Sequence, residues 1–102
     1  MVLVRMVWQA QLGHAGEVVA AMKKAEPVYR DIIGPEFNVR LLTDLSGNFD
    51  TVVQEMRVES LAAWEARRAQ IFADPRFREL MAGMPQVLVS GRQEYYTIEL
   101  DA

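Results

Sequence analysis

Phe37-Asn38-Val39-Arg40-Leu41-Leu42-Thr43-Asp44-Leu45-Ser46-Gly47-Asn48-Phe49-Asp50-Thr51-Val52-Val53-Gln54-Glu55-Met56-Arg57-Val58 is the stretch whose reading decides the fold. Residues 37–45 and 48–58 alternate like two strands, and Leu45-Ser46-Gly47-Asn48 has the chemistry of a short hairpin connection. In the first strand Phe37, Val39, Leu41 and Thr43 oppose Asn38, Arg40, Leu42 and Asp44. In the second, Val52, Gln54, Met56 and Val58 oppose Thr51, Val53, Glu55 and Arg57. A slip of one residue would exchange the two sets, because side chains alternate with period two.

Outward from this hairpin the two halves of the chain echo each other. Residues 1–11 alternate as a strand, with Val2, Val4, Met6, Trp8 and Ala10 on one side and Leu3, Arg5, Val7, Gln9 and Gln11 on the other. The first set is uniformly apolar and is expected under helices. Residues 17–33 repeat apolar side chains at helical steps through Val18, Met22, Ala25, Tyr29 and Ile32. Pro27 falls within this stretch and is expected to kink or divide the helix, since it lacks an N–H and crowds the preceding turn. Gly34-Pro35 ends it. Ser60 is an N-cap for a second helical region, in which Leu61, Trp64, Arg68 and Ile71 share a face beside Phe72. Asp74-Pro75 interrupts it, and Phe77, Leu80, Met81, Met84 and Leu88 continue at helical spacing. Pro85 bends or restarts this last piece, and Ser90-Gly91 stops it. Residues 93–100 close as a strand. The order β-α-β-β-α-β predicts a ferredoxin-like α+β fold: a four-stranded antiparallel sheet with helices on one face, in a single domain over residues 1–102.

Composition narrows the function classes. The chain has 102 residues, a formal net charge of −3 and no cysteine. Acidity disfavours nucleic acid as a partner, because phosphate backbones are recognised by basic surfaces. Without cysteine there are no disulfides, thiolate metal sites or cysteine nucleophiles, and the composition suits a reducing compartment. Arg5 interrupts the apolar run a signal peptide would need, and no window approaches the ~20 apolar residues of a membrane span. The expected location is cytoplasmic, with no membrane partner.

The stretch Val58-Glu59-Ser60-Leu61-Ala62-Ala63-Trp64-Glu65, followed by Asp74-Pro75-Arg76-Phe77-Arg78-Glu79-Leu80-Met81, resembles the second half of NIPSNAP-like proteins in the dimeric α+β barrel superfamily. Residues 38–44, then Gly47 and the strand to Glu55, resemble the middle of the same pattern. The resemblance covers most of the chain. It implies a homodimer whose two sheets face each other as a barrel, with the helices outside. That superfamily includes cofactor-independent monooxygenases, haem-degrading enzymes, small-ring isomerases and members without known activity, so fold alone does not choose a reaction. Dimerisation is also expected on independent grounds. The uncovered sheet face would carry Leu3, Val7, Leu42 and Val53 beside Arg5, Arg40, Glu55 and Arg57, and an apolar patch of that kind seldom stays wet on a monomer. The mixture of Arg and Glu suggests ion pairs across a two-fold axis.

Candidate chemistry is sparse. His14, the single histidine, reads either as an acid or base at the mouth of a pocket beside the first helix or as an exposed loop residue. Gly13-His14-Ala15-Gly16 lacks both the third glycine of a dinucleotide loop and the Lys-Ser/Thr of a phosphate loop. Haem-degrading relatives combine Asn, Trp and His; this chain has no histidine after Trp64, and Gln9 stands where asparagine is needed, so no haem and no other cofactor is expected. Metal ligands are too few for a site. Glu55 and Glu99 are placed in neighbouring or near-neighbouring strands, with pairing to Arg5, Arg40 or Arg57 favoured over an acid–base role. Arg67, Arg68, Arg76 and Arg78 read as a solvated basic streak. Met6, Met22, Met56, Met81 and Met84 fill gaps or line a flexible apolar cleft. The ligand pocket, if there is one, is expected among Trp8, Met22, Tyr29, Gln54, Trp64 and Tyr96. The leading expectation is a homodimer, joined through its open sheet face, that binds a small apolar or aromatic molecule or serves as an interaction module. The alternative is a cofactor-independent monooxygenase or isomerase acting on a small aromatic or polyketide-like substrate, with His14, Gln54 or Tyr96 assisting proton transfer.

Overall fold

The structure, a computed structural model, describes residues 1–102. The elements run β1 (Val2–Ala10), α1 (Ala15–Ile33), β2 (Arg40–Thr43), β3 (Thr51–Val58), α2 (Leu61–Ala73), α3 (Pro75–Met81), α4 (Met84–Val87) and β4 (Leu88–Thr97). One antiparallel sheet takes the order β2-β3-β1-β4. This is the ferredoxin-like arrangement expected from the sequence, with each half contributing one central and one edge strand.

Register assigns the faces. Val4 stands opposite Met56, Met6 opposite Gln54 and Trp8 opposite Val52. Opposed residues point the same way in an antiparallel pair. The face expected under the helices is therefore the one that lies there, and Leu41 joins it opposite Gln54. Two apolar clusters fill the interlayer space. One gathers Val4, Ala25, Val28, Tyr29, Met56, Val58, Trp64, Ile71 and Phe77. The other gathers Ala10, Val18, Met22, Val52 and Val87.

Several boundaries differ from the sequence reading. β2 is shorter than residues 37–45, and seven residues, 44–50, join it to β3 in place of a tight hairpin. Asp44 Oδ1 accepts from the Thr51 N–H at 2.9 Å, so side-chain bonding holds the wider loop closed. β4 begins at Leu88, five residues before the expected start, because α4 is a single turn, Met84–Val87, with Pro85 near its start. β3 and β4 flank β1 and so are near-neighbours, as expected, but Glu99 lies just beyond the end of β4. Pro27 does not divide α1. It faces solvent on one continuous helix, where its missing N–H leaves nothing buried unpaired.

Helix starts are fixed by side chains as well as by periodicity. Ser60 Oγ accepts from the Ala63 N–H at 3.1 Å and caps α2. Asp74 caps α3, with Pro75 in its first turn. At α1 the cap comes from across the fold. Asp50, in left-handed backbone with φ 60°, accepts from the N–H groups of Gly13 (2.8 Å) and Ala15 (3.0 Å). These two bonds, Gly13 first, hold its carboxyl below the ordinary range. The Arg76 side chain does the same for Asp74, and Arg5 followed by Arg92 for Glu94. A carboxylate whose folded-state pKa is lowered contributes stability that is complete above its unfolded pKa and disappears as pH falls through the folded value. Stability is therefore expected to fall as pH drops below about 4. Asp50→Asn should be less stable than the parent at neutral pH and should lose less on acidification, read from urea midpoints at neutral and acid pH. An equal acid loss in parent and variant would dismiss this role for Asp50.

Candidate functional site: a cavity between sheet and helices

The two apolar clusters do not close on each other. Between them lies a cavity of about 430 Å³. Its floor is the helix-side face of the sheet: Met6 and Trp8 of β1, Gln54 and Met56 of β3, Gly91 and Gln93 of β4. Its walls are Met22 and Tyr29 of α1, Trp64, Arg68 and Ile71 of α2, and Phe77 and Met81 of α3. A volume in this range, mostly apolar with a few polar groups, is the usual form of a small-molecule site.

Trp8 and Gly91 make the floor together. They oppose each other across β1 and β4, and a Cβ on Gly91 would stand 3.0 Å from Trp8 Cδ1. Glycine is what allows the indole to lie against the neighbouring strand. Tyr29 is held between Phe37, stacked at 5.9 Å between centroids, and Phe77, edge-on at 5.8 Å. Burial pushes its phenol above the ordinary range, while the amide of nearby Gln54 and the charge of Arg68 act the other way. Tyr29, Gln54 and Arg68 thus face one another, and Tyr29 stays a neutral hydroxyl at neutral pH.

Two polar atoms belonging to residues that line the cavity have no partner. Trp64 Nε1 and Arg68 Nε are both buried and unbonded. They are four residues apart on α2, and so on the same helical face one turn from each other. Arg68 leans its guanidinium on Phe72, 4.7 Å from the ring centroid. The remaining members of the expected basic streak are tied elsewhere: Arg67 to Glu59, Arg76 to Asp31 and Asp74, and Arg78 to the Phe72 carbonyl. Arg68 does not belong to a solvated streak. It belongs to the cavity, and the signal for this was its place on the Trp64–Ile71 face.

Of the six residues expected in a pocket, Trp8, Met22, Tyr29, Gln54 and Trp64 line this cavity. Tyr96 does not. It stands opposite Leu3, so it projects from the other side of the sheet. His14 is not at a pocket mouth either. It precedes α1, with Nδ1 3.0 Å from Glu17 Oε1 and its side chain open to solvent. Among the three side chains considered for proton transfer, only Gln54 reaches the cavity.

The opposite sheet face carries a row of charge in register. Arg40 bonds Glu55 at 2.7 Å, Glu55 bonds Arg5 at 3.2 Å, Arg5 bonds Glu94 at 2.7 Å, and Arg92 adds a bond to Glu94 at 3.1 Å. One chain completes this row across all four strands. These charges pair within a single sheet.

No protein-family model and no curated protein matches the chain. Solved structures share its fold. A NIPSNAP-like domain protein from Burkholderia xenovorans superposes with a TM-score of 0.83 at 14% identity, over 99% of this chain and 88% of the other. A NIPSNAP family protein of unknown function from Agrobacterium tumefaciens does so with a TM-score of 0.81 at 15% identity, over 94% and 86%. A protein from Deinococcus radiodurans, named as a candidate antibiotic biosynthesis monooxygenase, gives 0.72 at 13% identity, over 100% and 96%. The likeness to NIPSNAP proteins read from the sequence thus recurs in three dimensions, as a likeness of fold.

Proposed function

We infer, from a chain folded as NIPSNAP domain proteins are, that this protein binds a small apolar or aromatic molecule in the cavity between sheet and helices. The observation that carries this reading is the cavity itself: about 430 Å³, walled mainly by Met and aromatic side chains, with Gln54, Tyr29 and Arg68 converging at one end. Methionine walls suit this role because they adapt to more than one ligand shape. The reading includes a homodimer, joined through the sheet face that bears Leu3, Val7, Leu42 and Val53, and a cytoplasmic location for the cysteine-free chain. Binding is favoured over turnover, since His14 and Tyr96 stand away from the cavity.

The test uses naphthaleneethanol as a neutral aromatic probe, followed through the fluorescence of Trp8 and Trp64. Saturable quenching is expected. In Gly91→Leu the new side chain would project onto Trp8 and into the cavity, so binding should fall ~10-fold or more, the loss of about one good apolar contact. Equal binding by this variant would exclude the cavity. Sedimentation at micromolar concentration should give twice 11.6 kDa; a monomer would remove the dimer from the reading.

A further inference from the structure

We propose that the cavity is specific for an anionic amphiphile, an aryl or alkyl carboxylate, with the carboxylate received by Arg68 and Trp64 and the apolar body lying over Trp8 and the methionines. The proposal rests on the small-molecule reading above and narrows it to a ligand class. Every other arginine of the chain donates to a carboxylate or a backbone carbonyl: Arg5, Arg30, Arg40, Arg57, Arg67, Arg76, Arg78 and Arg92 all have acceptors. Arg68 has none, and its Nε is shut off from solvent. Trp64, 3% exposed, holds a second buried donor without an acceptor on the same face of α2. Buried donors are nearly always satisfied in folded proteins, and an unsatisfied one signals a missing partner. Here two such donors, one of them on a cationic group, belong to residues that line the same cavity, and no carboxylate of the chain supplies the acceptor.

A carboxylate satisfies both at once. It has two oxygens with several lone-pair directions, and it matches the planar fork of a guanidinium. The neutral hydroxyl of Tyr29, which faces Arg68, adds a third donor. The rest of the lining is mainly apolar, with Gln54, Gln93 and Arg92 as its other polar members, so the body of the ligand should be mainly hydrocarbon or aromatic. A neutral apolar molecule would leave the Arg68 and Trp64 donors as unpaired as they are in the free protein, and so forgoes this gain.

The experiment compares matched acid and alcohol pairs, naphthaleneacetate against naphthaleneethanol and decanoate against decanol, by titration calorimetry at neutral pH. Each acid is expected to bind ~10-fold or more tightly than its alcohol, the effect of one charge-assisted hydrogen bond. Arg68→Met keeps the apolar stem and removes the charge. It should abolish the acid preference, so that each acid and its alcohol bind alike. Trp64→Phe, which retains an aromatic ring, should weaken only the acids, and it preserves the test should Arg68→Met fail to fold. Equal binding of acid and alcohol by the parent protein would overturn the anion preference and leave the cavity reading intact. So would an acid preference that survives both substitutions. No binding of any of the four would overturn both.

Discussion

Trp64→Ala is expected to lower the free energy of unfolding by ~3–5 kcal/mol, the range for removing a large aromatic side chain from a core. Trp64 is the residue where α2 meets the sheet and the other helices. It is 3% exposed and packs in the cluster that holds Val4, Met56, Val58 and Ile71. The adjoining cavity lets neighbours relax into the space, which favours the lower end of the range. Domains of this size have stabilities of ~5–15 kcal/mol, so such a loss brings the variant near its unfolding threshold. Urea denaturation checks it, with the slope of the transition unchanged. A loss under ~1 kcal/mol would mean that α2 is not anchored through this residue.

Glu55→Ala should be the most damaging substitution on the other face, with an expected cost of ~1–3 kcal/mol, the range for losing charge-assisted hydrogen bonds. Glu55 is the only acid of the row that bonds two strands at once, through Arg5 on β1 and Arg40 on β2, and its side chain is 13% exposed. Arg5 would keep Glu94, but Arg40, an edge-strand residue, would lose its tie. Arg40→Ala should cost much less, because that side chain is 74% exposed and exposed ion pairs contribute little. The check is the ordering of the two variants in urea. Equal small effects would show that the row is an ornament of the surface and not a strut of the sheet.

The sheet was legible in the sequence because period two leaves an unambiguous trace where one face is dry. Val2, Val4, Met6, Trp8 and Ala10 could only lie under the helices. Five of the six pocket residues followed, since Trp8, Met22, Tyr29, Gln54 and Trp64 sit on faces that amphipathic patterning had already turned inward. Tyr96 was misplaced because its strand carries polar residues on both sides. Only the pairing Leu3–Tyr96 and Val4–Tyr95 decides which tyrosine looks where. The start of β4 was hidden by Pro85 and by apolar residues whose spacing continues a helix. Ser90-Gly91 looked like a stop, whereas Gly91 lies in mid-strand to make room for an indole contributed from far away in the chain. Arg68 was classed by the company of neighbouring arginines, when the face it shares with Trp64 was the better guide.

The charge row across the open face has a consequence for how two copies would recognise each other. With Glu55 shared by Arg40 and Arg5, and Glu94 by Arg5 and Arg92, inside each chain, a docking surface on this face would carry one positive charge in excess. The fit of Leu42, Val53 and Val7 to a second sheet would then select the mate by shape, and salt, by screening two like-charged rows, would favour the association slightly.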